Sequence, residues 1–77
     1  MKKSDLKDGY LLSLFSGEKF YICGAYGLHN SIEDPLYLSH YTDDLKYNGR
    51  CYPEGCLNVL SISYMGVILW EADEGIG

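Results

Sequence analysis

Twice in this chain a short apolar run turns back on itself at a glycine, and this pattern restricts the fold more than any other feature of the sequence. Residues 10–15 read as a strand, with Tyr10, Leu12 and Leu14 on one face and Leu11, Ser13 and Phe15 on the other. Ser16-Gly17-Glu18-Lys19 is a tight polar connection, and Phe20-Tyr21-Ile22-Cys23 returns as a second strand. Further on, Leu57 to Tyr64 is the longest strand candidate. Leu60, Ile62 and Tyr64 share one face of it, and Asn58, Ser61 and Ser63 supply polar positions. Met65-Gly66 is a turn, and Val67-Ile68-Leu69-Trp70 closes a second hairpin.

Between the hairpins the pattern is less regular. Gly24-Ala25-Tyr26-Gly27 ends the second strand, and the stretch from Leu28 to Asp34 is irregular and polar. Pro35 disfavours helix at Asp34. Leu36-Tyr37-Leu38 is a short strand with Leu36 and Leu38 on one face. Ser39 and Thr42 are N-cap candidates, and Asp43 and Asp44 suit the positive start of a helical turn, which places one turn of helix over residues 40–46. Residues 47–56 form a loop with turns at Asn48-Gly49 and Pro53-Glu54-Gly55. Residues 1–9 are a lead-in ending in the Asp8-Gly9 turn, and residues 72–77 are an acidic, glycine-rich tail expected to fray. The whole chain, 1–77, reads as one domain of mainly β class. The expected form is a small SH3-like barrel or a strongly bent antiparallel sheet of about five strands with one short helical turn.

A domain this short buries only about 60% of its unfolded surface, so help from a disulfide, a metal or a partner subunit is the rule. Trp70, Phe15 and the hairpin faces give more apolar surface than so small a monomer hides, which points to a homo-oligomer. Eleven acidic residues against six basic ones give a formal charge of −5, and beyond Gly24 only Lys46 and Arg50 are basic. A duplex binder needs several cations on one face, so direct nucleic-acid binding is excluded as an expectation. The longest apolar stretch, Val67 to Trp70, is too short to span a bilayer, and no signal-peptide run follows the opening lysines. An odd cysteine count, three, does not read as an extracellular disulfide framework. The expected location is a reducing cytoplasm.

Four pieces of the chain together resemble a family of small, mostly uncharacterised proteins of phages and prophages of Gram-positive bacteria. Asp5-Leu6-Lys7-x-Gly9 opens the first strand, and Leu12-x-Leu14-x-x-Gly17-x-x-Phe20 is the strand, glycine turn and strand. Leu36-x-Leu38-Ser39-x-Tyr41-x-x-Asp44-Leu45 contains the family's Leu-Ser-x-Tyr-x-x-Asp-Leu segment, and Leu69-Trp70-Glu71 matches its closing Leu-Trp-Glu. The Cys51…Cys56 loop departs from the family's pattern. The resemblance implies a compact β fold and a phage accessory role in the host bacterial cytoplasm, without a defined activity. Phage accessory proteins of this size often counter host defence, an argument by association.

Machinery for chemistry is sparse. Cys51-x4-Cys56 with Cys23, His29 and His40 offers zinc-ligand types, but no second cysteine knuckle exists, so no metal and no cofactor is expected; the pair also has the spacing for a local disulfide. Asp43-Asp44 with Glu33 and Asp34 lack the alternation of a calcium loop and read as a helix-start charge pair. His29 or His40 as base and Cys23 as nucleophile lack any motif that joins them, so the chain is read as no enzyme. Surface for binding is plentiful by contrast, with eight tyrosines in 77 residues. Tyr10, Tyr21, Tyr41 and Tyr64 lie in or beside elements and suit a core or β surface, whereas Tyr26, Tyr37, Tyr47 and Tyr52 lie in or near loops. A loop tyrosine beside Lys46 and Arg50 offers an aromatic plate with cations for a phosphate.

The candidate contacts are therefore Tyr41, Tyr47, Tyr52, His40, Lys46 and Arg50. The leading expectation is a non-enzymatic phage counter-defence protein that sequesters a nucleotide-derived immune signal. The first alternative is an acidic inhibitor of a host defence effector such as a Cas nuclease, which the net charge favours. The second is a phage structural or regulatory protein.

Overall fold

A computed structural model describes residues 1–24, 26–29 and 35–72. Six strands form one antiparallel sheet: β1 Leu11–Leu14, β2 Lys19–Cys23, β3 Tyr26–His29, β4 Leu36–Tyr37, β5 Val59–Tyr64 and β6 Val67–Glu71. Their spatial order is β4-β3-β2-β1-β5-β6. The helical content of the described residues is two single 3₁₀ turns, Lys3–Asp5 and Leu38–His40, so the expected mainly β class holds. No ladder joins β4 to β6 among the described residues, so the sheet is open, in keeping with a bent sheet rather than a closed barrel. No described helix is long and apolar enough to cross a membrane.

The two hairpins form where the alternation and the glycines placed them. Leu12 pairs with Phe20 on β2 and with Ile62 on β5, which aligns three apolar side chains across the middle of the sheet. Met65 and Gly66 both take positive φ (53° and 84°), the arrangement that matches the twist of a two-residue hairpin. Asp8 and Gly9 form a turn as expected, but the lead-in is not loose. The Lys3 N–H donates to the Asp43 carbonyl at 3.0 Å, and Lys3 Nζ donates to the Tyr41 carbonyl at 2.8 Å.

Leu60, Ile62 and Tyr64 do not share a buried face. Ser13 pairs with Ser61, but Leu14 pairs with Val59, so Leu60 is an extra residue on β5. This bulge breaks the period of two, turning Val59 and Ile62, three apart, to the core and leaving Leu60 exposed. A second bulge makes Leu69 the extra residue on β6, between Trp70 opposite Ile62 and Ile68 opposite Ser63.

Strand β3 lies where the sequence suggested a turn and an irregular stretch. Gly27 occupies its core position, opposite Ile22 and Leu36. A Cβ there would stand 3.0 Å from the Phe20 Cβ, so the missing side chain is what lets Phe20 and Leu36 fill the space. The rest of the stretch, residues 30–34, and residues 73–77 of the tail lie outside the described residues.

The core lies between one face of the sheet and the segment that crosses it. Leu12, Leu14, Phe20, Ile22, Val59 and Ile62 come from the central strands, and Leu36, Tyr41 and Leu45 close over them. The helical turn expected over 40–46 is displaced to Leu38–His40. Thr42 Oγ1 accepts the N–H groups of Asp44 and Lys46 at 3.2 and 3.3 Å, and Leu45 takes a left-handed φ of 65°. The threonine makes the bond of a helix start, but the left-handed Leu45 three residues on turns the chain out before a helix can form. Tyr41 and Tyr47 then face each other in an antiparallel bridge, making a small pin rather than a helix. Burial of Leu45 and the bond from the Val59 N–H to its carbonyl hold the strained residue in place.

Candidate ligand-binding site

Three tyrosines follow one another outward from the core along this segment. Tyr41 is 2% exposed, and its hydroxyl donates to the Leu57 carbonyl. Burial, reinforced by nearby Tyr47, pushes the Tyr41 phenol well above its ordinary pKa of 10.0, so it stays a neutral donor. Tyr47 packs edge-on against Tyr41 with ring centroids 5.4 Å apart. Its N–H donates to Asn58 Oδ1 at 2.8 Å, which ties the segment to the foot of β5. Gly49 crosses one side of the Tyr47 ring so closely that a Cβ there would lie 2.7 Å from a ring carbon. Tyr52 stands at the outer end, 96% exposed.

The loop beyond Tyr47 is shaped by two short turns. The Cys56 N–H donates to the Pro53 carbonyl and the Asn58 N–H to the Gly55 carbonyl, both at 3.1 Å. The Ser16 N–H then bonds the Cys56 carbonyl at 2.8 Å, fastening the end of the loop to the β1–β2 turn. Between the pin and these turns lies an open concavity of about 690 Å³, within the range of small-ligand sites. Lys46, Tyr47, Arg50 and Tyr52 all line it, together with Cys51, Glu54 and Asn58. Two cations against one carboxylate make it locally basic on an acidic chain.

Four of the six expected contacts thus share one hollow. The other two do not line it. Tyr41 is spent on the core, where no ligand reaches its ring. His40 stands to the side, its ring edge-on to Tyr37 at 5.8 Å and to Tyr47 at 6.4 Å, and its carbonyl accepts the Asn48 N–H at 2.7 Å. Both rings stand against Tyr47 rather than in the hollow itself. The sequence reading missed Asn58, assigned there as a polar strand position, and Gly49, assigned as a turn. The Asn48-Gly49 pair did signal a tight backbone, but nothing in the order of residues showed that it would lie on a ring.

For chemistry the arrangement offers less. Cys23 is exposed at the end of β2, apart from the hollow, and among the described residues no group of three or more His, Cys, Asp or Glu side chains gathers into a metal site. What the hollow can do is hold a planar, anionic molecule: Tyr52 presents a free ring face, and Lys46 and Arg50 supply charge. No protein-family model matches the chain, and no curated protein or solved structure is significantly similar to it.

Proposed function

We propose that this protein is a non-enzymatic binder that sequesters a nucleotide-like small molecule in the hollow of residues 46–58. The observation that carries the reading is the convergence of Tyr47, Tyr52, Lys46 and Arg50 on one concavity of mononucleotide size. A base stacks on Tyr52, and a phosphate meets Arg50 and Lys46. Sequestration needs affinity and copy number, not turnover. The phage counter-defence setting rests on the family resemblance alone, and with it the role of the ligand as an immune signal in the host cytoplasm.

Incubating the purified chain with a panel of linear and cyclic nucleotides, then assaying what remains free and what heat releases intact, tests the reading. Depletion and intact release of one nucleotide class is the expected result, abolished in the double variant Tyr52→Ala, Arg50→Glu. Both positions are exposed, so the variant keeps the fold. No depletion of any nucleotide, or depletion equal in the variant, sinks it.

A second reading has its own observation. Val67, Ile68 and Leu69 are all exposed on β6, an edge strand whose one charged residue is Glu71. Natural edges are usually blunted by charge, proline or cover. A protein partner, either a second copy in a homo-oligomer or a basic host effector drawn by the −5 charge, fits that edge. Native mass measurement distinguishes them, and Ile68→Lys is expected to release either partner without touching nucleotide capture.

A further inference from the structure

Cys51 and Cys56 are the two ends of one tight turn, closed by the bond from the Cys56 N–H to the Pro53 carbonyl at 3.1 Å, and each thiol lies close enough to act on the other's ionisation. Cys51 Sγ also lies 3.7 Å from the Pro53 carbonyl, its acceptor while protonated. Both side chains are partly exposed. Cys51 opens on the concavity that holds Arg50 and Lys46, and Cys56 opens on a second hollow of about 440 Å³ walled by Phe15, Ser16 and Pro53. Tyr52, Glu54 and Gly55 wall both hollows, so the thiol pair sits on the ridge between them.

We propose that Cys51 and Cys56 are a dithiol site for thiol–disulfide exchange, Cys51 attacking and Cys56 resolving, whose substrate is a small anionic disulfide of the glutathione class. The two thiols open on different hollows, and Cys51 is the one that faces Arg50 and Lys46, where an anionic disulfide would arrive. The Cys56 thiol beside it and the backbone N–H groups of residues 55–57 hold the Cys51 thiol below its ordinary pKa. The neighbouring Cys51 thiol, with burial behind it, pushes the Cys56 thiol up. The Cys51 thiolate attacks one sulfur of the small disulfide, forming a mixed disulfide and expelling one thiolate. Cys56 then loses its proton to solvent and attacks the Cys51 sulfur, forming the Cys51–Cys56 bond and expelling the second thiolate. One small disulfide is reduced to two thiols, and the two protein thiols are oxidised to one disulfide. Arg50 and Lys46 in the adjoining hollow attract the carboxylates of the incoming molecule.

Cys23 is the internal control, an exposed thiol away from the ridge. The full chain is mixed with oxidised glutathione at neutral pH, quenched in acid at intervals and mapped by peptide mass. A mixed disulfide on Cys51 is expected first, decaying into a Cys51–Cys56 bridge with two glutathione molecules released per chain, while Cys23 reacts severalfold more slowly. Cys56→Ser should stop the sequence at the mixed disulfide, and Cys51→Ser should leave Cys56 no faster than Cys23. Capture at Cys23 first or at equal rate in the unaltered chain overturns the proposal, as does a mixed disulfide on Cys51 that never resolves. Nucleotide capture is read separately, so failure of one reading leaves the other standing.

Discussion

Residues 38–47, with Tyr41 and Tyr47, and residues 48–56, with Tyr52, are consecutive stretches of one crossing over the sheet, and they are held by different means. In the first, Leu38, Tyr41, Leu45 and Tyr47 pack on the core, Thr42 ties down the turn, and Lys3 reaches over to the Tyr41 carbonyl. In the second, local turns and backbone bonds at its two ends do the holding, and most side chains face outward. The contrast between Tyr41 and Tyr52 lies in the hydroxyl. Tyr41 finds the Leu57 carbonyl inside the protein and can be buried with its polar tip satisfied. Tyr52 stands almost wholly in solvent, so its ring is available to a ligand. Stability and binding are therefore divided along the chain at about Tyr47, and substitutions on either side should separate them.

The largest effect is expected from Tyr41→Ala. It empties the space beneath Tyr47 and leaves the Leu57 carbonyl without its donor, at a cost of about 3–5 kcal/mol by comparison with other buried aromatics. For a domain this small that is a large part of the total stability. Urea denaturation should show a midpoint shifted far down or no folded baseline. A midpoint near that of the unaltered chain would mean that the crossing is not part of the core.

Gly49→Ala attacks the boundary itself. The added methyl meets the Tyr47 ring at 2.7–2.9 Å, and that ring backs onto Tyr41. The loop must lift or the ring must move, which costs about 1–3 kcal/mol. Because Gly49 and Tyr47 line the hollow, stability and capture should fall together. Loss of capture with unchanged stability would place the flexible side of the contact in the loop rather than in the ring.

This boundary also marks how far the sequence could be read. The hairpins were legible because alternation and turn glycines are local signals, and Leu12 and Leu14 share one face, now buried, as the alternation placed them. Strand β3 was hidden because its core position is a glycine, which reads as a turn unless Phe20 and Leu36 are known to need the room. The face of β5 was misread because the bulge at Leu60 exists only in the pairing with β1. Lys46, Tyr47, Arg50 and Tyr52 could be grouped from their spacing and chemistry. Tyr41 was assigned both to a core or β surface and to the ligand contacts, and the sequence could not choose between them, since its hydroxyl partner, Leu57, is sixteen residues away.

Tyr41→Phe isolates the hydroxyl. Near neutral pH it should cost about 1 kcal/mol, the scale of one hydrogen bond whose acceptor is left unpaired. The pH dependence should change as well. The folded pKa of Tyr41 is raised above the unfolded value of 10.0, so its contribution is complete below pH 10 and is lost as the pH rises past that value toward the folded pKa. Stability of the unaltered chain should thus fall more steeply above pH 10 than that of Tyr41→Phe, and the two curves should converge. Parallel curves in urea titrations at pH 8 to 11 would show that the phenol is not shielded.

Tyr52→Ala should have the smallest effect on stability and a clear one on binding. A side chain 96% exposed contributes almost nothing by burial, so the shift in folding free energy should stay within about 0.5 kcal/mol. Its ring is nonetheless the one aromatic face on the hollow that Gly49 does not cover. If a base stacks there, removing the ring should weaken nucleotide capture by about 1–3 kcal/mol, or roughly 5- to 150-fold, at unchanged stability. Tyr52→Phe keeps the face and should keep the capture. If Tyr52→Ala binds as well as the unaltered chain, the cations alone hold the ligand, and the hollow is a phosphate site without a base plate.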